Sequence, residues 1–249
     1  GVSTLSKNAF MKFLQAETLD LPKSVDPQRL NLLGLMELAA VFKVDKCYES
    51  SFALLKNSIS GSNVEALLKE AMRFKRKEVA AQCMLYIYKH DLSPKKSAGM
   101  PGEEEAEILK IFKQLRRFKM NGGTLKYNET IQNIDIAFTH WEHREVMNLE
   151  IFNDLSKHAE FRLLLRDVSN FGGERPISKE FIDRVIDNSP YLENLLIKSS
   201  LMDEFKCNKK FKSIFFEDCG KVLEISMPEA ERVEFNNCNS LSTLRLPQS

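Results

Sequence analysis

Hydrophobic positions along this chain follow two different periods. From residue 10 to about 93 they recur at helical spacing. Leu30, Leu32, Leu33, Leu35, Met36, Leu38 and Ala39 crowd one broad face, the pattern of a buried helix. Pro22 and Pro27 punctuate the stretch before it, and Asp26 is placed to cap a helix that opens at Pro27. The same period predicts helices over 46–58, 63–74 and 77–88, separated by short polar breaks such as Ser60, Gly61 and Ser62. Residues 91–105 carry two prolines, two glycines and an acidic run, which marks a linker. A helix over 104–120 follows, with Ile108, Ile111, Phe112 and Leu115 on one face. Asn121, Gly122 and Gly123 stop it.

Beyond that stop the period becomes that of a repeat. Ile197, Phe216 and Phe235 lie 19 residues apart, and so do Ser200, Cys219 and Cys238. The register continues from Val222 to Leu241, Ile225 to Leu244 and Met227 to Leu246. Weaker copies of the same short strand stand upstream, at 131–136 with Ile134 and Ile136, and at 163–165 with Leu163 and Leu165. Helical stretches over 146–158 and 177–186 separate them, so the upstream period is close to 30. A unit of this size cannot bury its apolar face alone, and stacked neighbours complete the core through a parallel sheet. The small Cys or Ser that closes each row reads as a ladder that satisfies turn backbone.

Composition narrows the function. The 249 residues include 36 basic and 35 acidic ones, for a net charge of +1, so no global field favours nucleic acid or a membrane surface. The longest apolar run, 30–41, falls short of the ~20 residues a membrane span requires. Five cysteines without a CxxC pair fit a reducing, cytoplasmic setting, and an opening on Gly1 reads as a piece of a longer chain. His140 and His143, with Glu142 and Glu145, have i, i+3 spacing and no third ligand, so they read as a solvated helix start. Cys83 and His90 sit seven residues apart on one predicted helix, where Cys83 belongs to the apolar face. No phosphate loop, nucleophile elbow or carboxylate pair appears, so the expectation is a protein that is not an enzyme and holds no metal or cofactor. The basic runs, Arg73 to Lys77 and Lys110, Lys113, Arg116, Arg117 and Lys119, read as solvated or partner-contacting faces, and nucleic acid is an unlikely partner.

The repeat rows look like a leucine-rich-repeat protein, and the stretch from Ile177 to Leu195 is similar to the repeats of ubiquitin-ligase substrate adaptors. The front end resembles the C-terminal half of a BTB/POZ domain with its helical extension. Phe13, Leu14, Leu19 and Leu21 carry that likeness, followed by Leu33 to Val44 with Cys47, and Asn63 to Ala71 with Cys83, Tyr86 and Ile87. The family's cullin-contacting motif falls near residues 4–8, which contain no Glu. The resemblance implies an α/β chain: a helical BTB/POZ-like region over 1–93, a linker over 94–104, and a leucine-rich-repeat solenoid with a capping helix over 105–249.

In such repeats the leucines of each strand point inward and alternate residues face the concave side. That expectation puts Asp135, Leu164, Leu196, Phe215 and Glu234 in one row, with Arg166, Lys198 and Glu217 beside it. Leu164, Leu196 and Phe215 would form an exposed apolar centre inside a polar rim, the make-up of a protein-binding patch. The expected function is a cytoplasmic adaptor whose repeats hold a protein partner while the helical region presents it to a cullin-type ubiquitin ligase. The alternative is a scaffold or inhibitory effector that recruits no ligase.

Overall fold

In the computed structural model, residues 2–16, 31–94, 102–129, 132–139, 144–166, 177–198, 202–227 and 230–245 are described. By compactness the chain divides into Gly1–Tyr86 and Ile87–Ser249. The division falls inside helix α5 (Lys77–His90), upstream of the 94–104 linker expected from composition. The last turn of α5 belongs with the second unit: the Tyr88 hydroxyl donates to the Gly123 carbonyl at 2.8 Å, and the Tyr88 ring lies 5.8 Å from Phe118.

The first unit is helical: α1 (Thr4–Ala16), α2 (Leu32–Val41), α3 (Asp45–Ser58), α4 (Val64–Arg73) and the body of α5. Helix α2 is the buried one, with Leu32, Leu33, Leu35, Met36 and Ala39 all inside. Its cap is Asn31, whose side chain accepts from the Gly34 amide at 2.7 Å. The Asp26 and Pro27 start signal lies outside the described residues. Helices α2, α4 and α5 close alike, on a left-handed residue that is not glycine: Lys43, Lys75 and Asp91, with φ of 54°, 55° and 51°. The amide next after this left-handed residue then returns to a carbonyl of the last turn, as in Val44 to Ala39 and Arg76 to Ala71, both at 2.8 Å.

The second unit opens with α6 (Glu103–Met120), whose acidic first turn complements the helix dipole. Gly122, at φ +73°, then Gly123 turn the chain into β1 (Gly123–Asn128). A side chain at Gly123 would sit 2.1 Å from the Phe118 ring, so only glycine fits there. After β1 come β2 (Asn133–Phe138), α7 (Glu145–Ser156), β3 (Arg162–Leu165), α8 (Lys179–Asp187) and β4 (Asn194–Lys198). They are followed by β5 (Glu204–Lys206), β6 (Ser213–Glu217), β7 (Glu224–Ser226), β8 (Arg232–Asn236) and β9 (Thr243–Arg245). A six-stranded sheet runs in the order β1-β2-β3-β4-β6-β8 and a three-stranded one in the order β5-β7-β9. All neighbours pair parallel except β1 with β2, so the all-parallel expectation is corrected at that edge. Antiparallel pairing follows from the tight connection after β1, since a parallel partner requires a longer crossover.

The 19-residue period thus places one strand in each sheet. It pairs Ile197 with Phe216, Phe216 with Phe235, and Ile225 with Leu244. One face of the larger sheet is core: Ile134, Ile136, Phe138, Leu163, Leu165, Leu195, Ile197, Ile214 and Phe216 are all buried. Phe216 meets Phe205 edge-on at 5.2 Å and stacks on Phe235 at 5.5 Å. Strands β6 and β8 each end in a left-handed turn residue, Asp218 and Asn237. The following cysteine donates back to the neighbouring strand, Cys219 to the Ile197 carbonyl at 3.6 Å and Cys238 to that of Phe216 at 3.5 Å. Two rungs of the ladder read from the sequence, Cys219 and Cys238, are therefore present, and Ser200 lies outside the described residues. Phe216→Ala is expected to cost about 3–5 kcal/mol in urea unfolding, the usual range for a core phenylalanine, and Phe235→Ala, on a half-buried side chain, distinctly less.

Candidate interaction face of the parallel sheet

The face of the larger sheet opposite the core carries the residues expected to bind a partner. Strands β3, β4, β6 and β8 hold the register the repeat predicts, with Leu164, Leu196, Phe215 and Glu234 in one row and Lys198, Glu217 and Asn236 in the next. Strand β2 does not. Asp135 pairs with Arg162 and Ala137 with Leu164, so the expected place of Asp135 beside Leu164 is corrected by two residues. A two-residue slide keeps every side chain on its own face, and β2 has three inward residues, Ile134, Ile136 and Phe138, that satisfy either register.

An ion pair fits the register β2 adopts. Asp135 takes both arms of the Arg162 guanidinium, at 2.7 and 2.9 Å. The Arg162 side chain is only 6% exposed and that of Asp135 17%. This bidentate geometry is the strong form of a charged hydrogen bond. The same row continues as a polar chain: the Ser213 hydroxyl donates to the Asn194 side-chain Oδ1 at 2.7 Å, the Asn194 Nδ2 donates to Glu160 at 3.2 Å, and Lys212 reaches Glu160 at 2.7 Å.

The apolar centre also differs from expectation. Leu196 and Phe215 are 8% and 7% exposed, so they are not an open patch. Phe215 lies beneath two guanidiniums, Arg162 at 4.9 Å and Arg232 at 5.4 Å from the ring centroid. Arginine planes favour the electron-rich face of an aromatic ring, which explains the closure. Leu164 and Arg166 remain half-buried. The accessible chemistry is therefore ionic: Lys198 between Glu217 at 3.1 Å and Asp218 at 3.6 Å, and Arg232 paired with Glu234. Sequence reasoning missed the arginine cover, although Arg162 and Arg232 stand two residues before Leu164 and Glu234, where same-face neighbours are expected.

Burial suppresses the nucleophilic character of three thiols. Cys83 is fully buried, and burial pushes its pKa up to about 12. Burial also raises the Cys47 and Cys207 thiols. The Cys207 sulfur accepts from the Lys209 amide at 3.2 Å, beside a 440 Å³ groove that Asp183, Asp187 and Lys206 also line. Residues His140, Glu142 and His143 lie outside the described residues, and Glu145 pairs with Arg184 at 2.9 Å. Among the described residues no group of three metal-ligating side chains comes together. No described helix is long and apolar enough to cross a membrane.

Two measurements follow. Asp135→Ala strands a buried guanidinium and is expected to cost about 3 kcal/mol in denaturant unfolding, whereas Asp135→Leu with Arg162→Met recovers most of that loss. Native labelling with a thiol reagent at pH 8 should spare the buried Cys83, which holds its proton there, and proceed at the half-buried Cys238 faster than at Cys207, whose thiol burial also raises. The raised Cys83 pKa favours the folded state at lower pH; that contribution fades as pH climbs from the ordinary 9.0 toward about 12. Compared with protein-family models, with curated proteins and with solved structures, the chain matches none.

Proposed function

We propose that this chain is a protein-interaction adaptor of the cytoplasm. In this reading the second unit is a leucine-rich-repeat solenoid whose open sheet face holds a protein partner. The helical first unit, BTB/POZ-like in its order of residues, presents that partner to a cullin-type ubiquitin ligase. The observation that carries the reading is the face itself: four strands in parallel register display aligned rows of polar and charged side chains over a rigid core. Such rows suit recognition of another protein's surface, where charge patterning sets specificity and association rate. Fold alone does not fix a function, so the proposal rests on this face and on the resemblance.

A second reading, a scaffold or inhibitory effector without a ligase, draws support from residues 4–8, which offer no Glu where the family's cullin contact falls. Reconstitution with a purified cullin separates the two. A complex at micromolar concentration supports the ligase role, and none supports the scaffold.

The partner face is tested by exchanging a pair. Lys198→Glu with Glu217→Lys preserves the ion pair but inverts the local field. Capture of the partner from cytosol should fall about tenfold, a change of roughly 1.4 kcal/mol, with the thermal midpoint shifted by no more than a few degrees. Unchanged capture would place the binding surface elsewhere.

A further inference from the structure

The five basic residues of α6 form one run in the sequence, yet the structure sorts them onto two faces. Lys110 and Arg117 turn to α7, where Lys110 meets Asp154 at 2.7 Å and Arg117 meets Glu150 at 3.3 Å. Gln114 lies between them and bonds to both Asp154 and Arg117. The other three, Lys113, Arg116 and Lys119, follow at three-residue steps along a second face and are exposed. Lys119 is engaged, with Asp91 at 3.2 Å and above the Tyr88 ring at 5.6 Å. Lys113 and Arg116 have no ion-pair partner among the described residues.

These two cations stand on the rim of a cavity of about 340 Å³ between the end of α5, residues 92–94 and α6. Its walls include Ile87, Leu92, Leu109 and Phe112. Leu109 is 37% exposed, one of the few large apolar side chains of this unit left in contact with solvent. The lining is mixed, with these apolar side chains beside Asp91, Ser93 and the cations; a hollow of this size holds one or two side chains and falls within the range of ligand-binding clefts. The unpaired charge beside it is wholly positive. Asp91, the acid lining the hollow, is already taken by Lys119.

We propose that this cleft docks a short acidic peptide segment of a protein partner, seating a bulky apolar side chain on Leu109 and Phe112 while flanking carboxylates meet Lys113 and Arg116. Charge complementarity selects this occupant. A purely apolar segment leaves both cations unpaired at the rim, and a basic one is repelled. The cleft is separate from the sheet face, so the chain offers two recognition surfaces, in keeping with an adaptor.

The test is fluorescence anisotropy on the full chain, with a labelled hexapeptide that has a Leu-Phe centre flanked by two glutamates on each side. Saturable binding is expected, weakened about tenfold by Lys113→Glu with Arg116→Glu and left unchanged by Lys110→Glu, whose cation faces α7. Rising salt should weaken it as well. The peptide with lysines in place of glutamates, or with Gly-Gly in place of Leu-Phe, should each bind at least about tenfold more weakly. Absence of saturable binding, equal binding by the charge-reversed variant, or equal binding of the Gly-Gly peptide overturns the proposal. If the reversed variant melts early, Lys113→Gln with Arg116→Gln provides the same comparison. The exchange of Lys198 and Glu217 leaves this binding unchanged if the two surfaces are independent, so failure of either proposal is distinguishable from failure of the other.

Discussion

Parallel pairing in register is the constraint on which the second unit depends, because it stacks like positions on like. Leu163, Leu195, Ile214 and Val233 fall side by side on the core face, and the alternate residues, Leu164, Leu196, Phe215 and Glu234 among them, fall side by side on the other. A strand displaced by one residue would turn its apolar set toward water and its charges into the core. The cost of that slip is what holds the face in a single register. The turn residues serve the same end. Asp218 and Asn237 adopt the left-handed turn, and the cysteines after them return a hydrogen bond to the previous strand.

The face so produced differs in kind from an apolar patch. Its largest aromatic ring, Phe215, lies under the guanidiniums of Arg162 and Arg232, and Arg162 is itself held by Asp135. One chain of contacts therefore links the register of β2 to the cover over β6. Exposed ion pairs contribute little to stability, typically ~0–1 kcal/mol each. Their arrangement sets the charge pattern of the face and decides little about whether the unit folds. The same holds on α6, where the acids of α7 neutralise one face and leave two cations of the other beside a hollow.

Much of this architecture was legible along the chain. The helices of the first unit follow the 3.6-residue period, and observed ends agree with expectation within a few residues for α3, α4 and α5. The ends of α2, α4 and α5 were less visible, since Lys43, Lys75 and Asp91 take a conformation usually signalled by glycine. Strand β1 was hidden too: Gly122 and Gly123 read as a helix stop, which they are, but nothing local announced an antiparallel partner after them.

What the sequence by itself determined is the set of faces: which residues point inward, and, through the 19-residue period, how β4, β6 and β8 align. Periodicity suffices there because any slip by an odd number of residues exposes the core. Tertiary structure alone decided the register of β2, the closing of Phe215 beneath two arginines and the division of the α6 charges. These depend on groups brought together from distant segments, such as Asp135 with Arg162 and Glu150 with Arg117. A shift of two residues, or a turn of a long side chain, leaves the hydrophobic pattern unchanged, so only the neighbours in space could select among them.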